Sequence, residues 1–140
     1  MKIVVPLLLF FLLAGWTGCG RKGPPAAPEA VAPERVTDLQ GDVVEREIRL
    51  SWTIPAGERL FRLYKATEPF GQEPCVDCPV RFTQEIDIDT ADPKAVDVAG
   101  DKVIYRDSAE AGYRSLYKIV VISADGLRSK YSNIVCVPVP

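Results

Sequence analysis

The chain has 140 residues, 17 of them basic and 19 acidic, and it contains no histidine. A sequence without histidine cannot carry haem-attachment motifs, zincin helices or histidine-based catalytic triads. Residues 1–18 contribute only Lys2 to the charge, so the remainder has 16 basic against 19 acidic residues and a net charge of about −3. This balance gives no basic footprint for nucleic acid.

Residues 1–18 have the pattern of a secretion signal. Lys2 supplies one positive charge, and Ile3 to Ala14 is an apolar run interrupted only by Pro6. About twelve helical residues span roughly 18 Å, which is short of the ~30 Å hydrocarbon core of a bilayer. We therefore expect a cleaved signal peptide rather than a permanent transmembrane helix.

The signal ends at Gly18-Cys19, which resembles the bacterial lipobox, with Thr17 before it and Trp16 where leucine is usual. The resemblance implies cleavage before Cys19 and attachment of lipid to its thiol, with no other cofactor. The buried acyl chains would then hold the protein on a membrane. Gly20 in place of aspartate implies the periplasmic face of the outer membrane. The alternative is a signal cut elsewhere, which would leave Cys19 an ordinary residue.

Residues 19–34 form the predicted tether. The run GPPAAPEAVAPE, from Gly23 to Glu34, is rich in proline and favours extended polyproline II chain, about 35 Å long for twelve residues. Its start, Cys19-Gly20-Arg21-Lys22-Gly23-Pro24, resembles that of small LptM-like lipoproteins associated with the lipopolysaccharide translocon. That resemblance implies an accessory role in outer-membrane assembly, although a basic pair beside anionic headgroups requires no such partner.

Residues 35–140 are enough for one domain. No segment sustains a helical period with caps, whereas short β-branched and aromatic runs recur between turn residues, as in an all-β sandwich. In EIRLSWT, for example, Ile48, Leu50 and Trp52 share one face, and Trp52 is predicted to be core. The predicted strands are 36–39, 47–53, 60–66, 82–88, 102–106, 116–123 and 131–137, with a turn at Asp125-Gly126 and a stop at Pro138.

The pattern resembles the fibronectin type III domain, an antiparallel sandwich of about seven strands. The residues that carry the resemblance are Pro33, Val36, Leu39, Leu50-Ser51-Trp52, Pro55, Leu63-Tyr64-Lys65, Tyr105-Arg106-Asp107, Tyr117, Ile119, Val121, Asp125-Gly126, Ser129, Tyr131, Ser132, Asn133 and Val135. Residues 68–84 depart from it as an insertion. The resemblance implies that Tyr117 is a tyrosine corner, whose hydroxyl bonds to backbone a few residues upstream.

Three cysteines remain besides Cys19, and two of them lie in the insertion as Cys75-Val76-Asp77-Cys78. The favoured interpretation is a disulfide between Cys75 and Cys78 that pins a proline-rich loop, with Cys136 free and half-buried. Alternatives are a redox dithiol, a zinc site completed by Cys136 and a carboxylate, and a bridge from Cys136 to one of the pair. No helix is expected after Pro79 to lower a thiol pKa, and three cysteines make a poor zinc cage.

Residues 85–97 are rich in acidic side chains, which allows a calcium-site interpretation. The segment nevertheless lacks the glycine and the terminal glutamate of an EF-hand. Asp87 and Asp89 are more simply the solvated face of a strand whose Ile86 and Ile88 point inward.

No nucleophile with a base, phosphate loop or metal constellation appears in the sequence, so we expect no enzyme. The predicted function is a membrane-anchored binding or scaffolding lipoprotein that contacts another envelope protein, with thiol chemistry at Cys75 and Cys78 as a further alternative.

Overall fold

The computed structural model describes Gly23 and residues 30–71 and 79–140. Every regular element in these ranges is a β-strand, as predicted. The eight strands are β1 (Gln40–Val44), β2 (Glu47–Thr53), β3 (Leu60–Pro69), β4 (Gln84–Asp89), β5 (Asp97–Ala99), β6 (Lys102–Ser108), β7 (Tyr113–Ile122) and β8 (Val135–Val139). Two of these strands have no counterpart among the seven predicted ones, namely β1 and the three-residue β5.

The strands form two antiparallel sheets of four. The first sheet has the order β1-β2-β6-β5 and the second the order β4-β3-β7-β8. Because side chains alternate along each strand, one face of each sheet points into the core and the other points outward. The prediction of an antiparallel sandwich is confirmed.

The core forms where the inward faces of the two sheets meet. Ile48, Leu50 and Trp52 of β2 are fully buried, as the alternation in EIRLSWT predicts. Trp52 packs edge-on against Phe61 of β3, with ring centroids 5.6 Å apart. Burial of each such side chain contributes roughly 1.5–3 kcal/mol. The prediction that Trp52 is core is confirmed.

The prediction that residues 36–39 form the first strand is wrong. Val36 and Leu39 are buried in the core, but they lie in an irregular segment, and β1 starts at Gln40. Asn133 fixes this segment, because its amide donates to the Leu39 carbonyl at 2.8 Å and its carbonyl accepts from the Leu39 N–H at 3.1 Å. A side chain thus replaces the strand ladder here.

The sandwich closes where β1 passes close to β8, at Gly41. A Cβ at this position would lie 2.8 Å from a methyl carbon of Leu50 and 2.8 Å from one of Val137. The two edge strands therefore approach each other through a site that has no room for a side chain.

Pro138 lies within the last strand instead of ending it, so that prediction is wrong. It is paired with Arg114 of β7, and β8 is the outer strand of its sheet. An edge strand tolerates proline because the missing N–H is not needed by a further strand.

The two poles of the sandwich carry different segments. The residues leading into β1 lie at the pole where β2 ends and β3 begins, which is also the pole of the turn at Asp125-Gly126. The insertion connects the end of β3 to the start of β4, at the opposite pole. The tether and the insertion therefore attach at opposite poles of the domain.

The β1–β2 hairpin turns through two residues, Glu45 and Arg46, whose φ angles are 50° and 73°. Two successive positive φ values are the pattern of a type I′ turn, which suits the twist of the strands and favours Asn-Gly. Side chains other than glycine, asparagine and aspartate adopt this conformation at a cost.

Candidate functional site

Three cysteines predicted as sites lie outside the described residues, namely Cys19, Cys75 and Cys78. Cys136 lies on β8 and is exposed, so the prediction that it is half-buried is wrong. The reason is its register: Cys136 pairs with Leu116 on the outward face of the sheet, while Val135 and Val137 on either side point inward. In the part of the chain that the structure describes, no disulfide is formed.

The acidic run does not gather into a cluster. Asp87 and Asp89 lie on the outward face of β4, and Ile88 between them is buried, as predicted for a solvated strand face. Asp87 is held by Arg62, whose hydrogen bonds keep the pKa of this carboxyl below its usual value. Within 30–71 and 79–140 no group of three or more acidic or cysteine side chains is placed to hold a metal ion.

Tyr117 bridges the two sheets through a carboxylate. Its hydroxyl donates to Asp107 of β6 at 2.8 Å, and Lys65 of β3 forms an ion pair of 2.7 Å with the same oxygen. The tyrosine-corner expectation of a backbone acceptor is therefore wrong: the acceptor is a side chain ten residues upstream. The position of Asp107 explains this, because it pairs with the buried Ile48 and so points from the facing sheet towards the phenol.

The segment that follows β7 is fixed by two serines. Ser132 donates its N–H to the Ile119 carbonyl and accepts from the Ile119 N–H through its hydroxyl, both at 2.9 Å. Ser129 makes the same pair with Val121, at 3.0 and 2.9 Å. The serine hydroxyls thus take the place of main-chain acceptors along β7.

Tyr131, between these serines, is held outward over the second sheet with 49% of its surface exposed. There it lies next to Lys118 of β7, whose ammonium nitrogen is 3.7 Å from the centroid of its ring. The same nitrogen lies 4.3 Å from the centroid of Phe82 and 5.5 Å from that of Tyr64. We call these four residues the Lys118 cluster.

The Lys118 cluster shares the outward face of the sheet with two buried apolar residues. Ala66 and Val120 belong to this face by register, yet they are only 2% and 3% exposed. Tyr64 pairs with Lys118 across the strands and packs edge-on against Tyr131 at 5.5 Å. Burial, followed by the nearby Glu85 charge, raises the pKa of Tyr64, which keeps its hydroxyl neutral. The result is a rigid surface of aromatic rings around one cation.

Sequence reasoning did not find the Lys118 cluster. Tyr131 and its serines were recognised only as part of a strand pattern, and Lys118 reads as an ordinary outward residue of β7. The available signal is the placement of Ser129 and Ser132 on either side of Tyr131. Both hydroxyls can bond to the preceding strand only if this tyrosine faces away.

No protein-family profile matches this sequence, and no curated protein matches it either. Among solved structures, a crystal structure of an Fn3-like protein from Clostridium thermocellum is similar, with 17% identity, 79% of this chain and 96% of that chain covered, and a TM-score of 0.52. A solved structure of a myokine is similar with 15% identity, 78% of this chain and 99% of that chain covered, and a TM-score of 0.50.

The likeness to solved structures concerns the fold, and the domain is a fibronectin type III-like sandwich. None of the described residues forms a helix that is long and apolar enough to cross a membrane.

Proposed function

We propose that this protein is a lipid-anchored, non-enzymatic binding module of the bacterial cell envelope, and that the Lys118 cluster contacts its protein partner. The anchor is the thiol of Cys19, and residues 19–34 are the tether. The membrane is the outer membrane, as Gly20 after the lipidated cysteine implies.

The observation that carries the proposal is the way Tyr131 is presented. Its ring is half exposed, and the serines on both sides of it are bonded to β7. Aromatic side chains that are already ordered lose little conformational entropy on binding, and tyrosine is enriched where proteins bind each other. Ile134, 55% exposed and three residues further on, extends the apolar part of the surface.

Site-specific crosslinking in intact cells tests the contact surface. A photoreactive phenylalanine analogue replaces Tyr131 in one strain and Ile104, on the outward face of the first sheet, in a matched control. We expect a discrete crosslinked protein from position 131 that is missing from position 104. Equal patterns from the two positions, or none from either, would contradict the assignment of the surface.

The anchor is tested separately by labelling with palmitate. We expect incorporation into the natural chain and none into Cys19→Ser. Exchange of residues 16–34 for the lipobox and tether of another outer-membrane lipoprotein should leave function intact. Loss of function on that exchange would instead support the accessory role in outer-membrane assembly, for which the start of the mature chain is decisive.

A further inference from the structure

A groove of about 690 Å³ lies between the segment leading into β1 and the segment that follows β7. One wall is formed by Ala32, Pro33, Glu34, Arg35 and Thr37, and the other by residues 128–130. The groove is at the pole where the tether attaches, and its second wall leads directly into Tyr131.

The groove is basic although the chain as a whole is acidic. Arg35, Arg128 and Lys130 line it, and Glu34 is its one lining carboxylate. All three cations are exposed, and none forms an ion pair with a residue in the described ranges. The whole sequence has a net charge of −2. Unpaired cations on both walls produce a local positive potential that attracts negative charge.

The first wall has free backbone groups. Among described residues, the main chain of 32–37 makes no backbone hydrogen bond, and the wall is nevertheless held in place because Val36 is buried in the core. The second wall is fixed by the bonds of Ser129 to Val121. An extended chain between the walls could therefore pair with backbone on one side and meet Arg128 and Lys130 on the other.

We infer that this groove binds an extended acidic peptide segment of the partner protein, with the end of the segment lying on Tyr131. This inference rests on the proposed function and names the chemistry of the partner. A concave site with cations on two walls and unpaired backbone along one of them suits a chain that can enter it. Lipid headgroups cannot continue a main-chain ladder along residues 32–37, so the unpaired backbone favours a peptide.

The test uses the full chain purified in neutral detergent and a short fluorescein-labelled peptide in which glutamate alternates with valine. Fluorescence anisotropy measures binding, and a peptide with lysine in place of glutamate is the ligand control. We expect the acidic peptide to bind and the basic one not to bind. The double variant Arg128→Glu/Lys130→Glu should weaken binding by about tenfold or more, and Arg35→Glu should weaken it independently.

The matched control is Lys94→Glu, which reverses an exposed cation at the same pole but outside the groove and should leave binding unchanged. Thermal unfolding of each variant verifies that the domain is folded. The inference would be overturned if the acidic peptide does not bind, or if the groove variants and Lys94→Glu behave alike.

Two further outcomes would show which part of the assignment is wrong. If residues 128–131 gain protection from hydrogen exchange on nanodiscs with phosphatidylglycerol while the peptide does not bind, the groove faces a lipid surface and the inference is wrong. If crosslinking from position 131 captures a partner but the acidic peptide does not bind, the acidic chemistry is wrong and the proposed function stands.

Discussion

The hydroxyl of Tyr117 donates a 2.8 Å hydrogen bond to the carboxylate of Asp107 on the opposite sheet. Tyr117 is fully buried, and the same carboxylate also accepts from Lys65. One acidic side chain thus ties a tyrosine and a lysine of the second sheet to the first sheet. Since hydrogen bonds to charged groups are stronger than neutral ones, this link is a specific contribution to the stability of the sandwich.

Replacement of Tyr117 by phenylalanine keeps the packing and removes the donor. The variant should lose about 1–3 kcal/mol of unfolding free energy, because a mostly buried carboxylate loses one of its two partners. Chemical denaturation measures the loss. The control is Tyr113→Phe, whose hydroxyl makes no side-chain hydrogen bond in the described ranges. Equal stabilities of the two variants would show that the Tyr117 hydroxyl does not contribute.

The same tyrosine predicts a decline in stability at alkaline pH. Burial, and then the hydrogen bond to Asp107, raise the pKa of Tyr117 above the ordinary phenol value of 10.0. The folded state therefore holds this proton more tightly than the unfolded state does. Its stabilising effect is complete below about pH 10 and is lost as the pH rises further.

Denaturation between about pH 9 and pH 11 should show this loss, and Tyr117→Phe should have a shallower decline than the natural chain. Tyr105 keeps part of the decline in that variant, because burial raises its pKa as well. A Tyr117→Phe chain whose stability falls as steeply as that of the natural protein would contradict the assignment.

Gly41 should not tolerate a side chain. Its Cβ would lie 2.8 Å from methyl carbons of Leu50 and Val137, so Gly41→Ala must displace two buried side chains. We expect a loss of about 1–3 kcal/mol, as for other overpacked sites. Gly71→Ala is the matched control, since no atom of the described residues lies within 4 Å of its added carbon. If Gly41→Ala unfolds at the same denaturant concentration as Gly71→Ala, the close approach of β1 and β8 is wrong.

The β1–β2 turn should be open to improvement. Glu45→Asn/Arg46→Gly places the preferred type I′ residues where the backbone already has two positive φ angles. We expect an increase in unfolding free energy of about 1–2 kcal/mol, measured by denaturation. The comparison is Ala56→Asn, which places Asn-Gly at residues 56–57. Only Gly57 has a positive φ there, so this variant should change stability less. An unchanged or lower stability would show that Glu45 and Arg46 adopt the turn without cost.

The fold could be predicted because its signals are local. Alternation in EIRLSWT and the long β-branched run of β7 each depend on neighbours within one strand, and both were read correctly. The start of β1 could not be predicted, because Leu39 is held by Asn133, 94 residues later, rather than by a strand ladder. Buried apolar residues alone do not distinguish these two ways of satisfying the backbone.

The candidate surface was hidden for a related reason. Four separate segments supply Lys118, Tyr64, Phe82 and Tyr131. Only the strand register and the bonds of Ser129 and Ser132 bring these side chains together. The same dependence on tertiary position explains why the acceptor of Tyr117 was assigned to backbone. Resemblance identified the tyrosine, but the facing sheet supplies the carboxylate.

Under the proposed anchoring, copies of this domain are crowded on a membrane surface, and Pro138 has a consequence there. An unprotected outer strand can recruit the matching strand of a neighbour and grow into an open-ended fibre. Proline within β8 removes one of the donors that such growth requires, and two-dimensional crowding makes the protection more important. Pro138→Val should therefore cause slow fibril formation at high protein density.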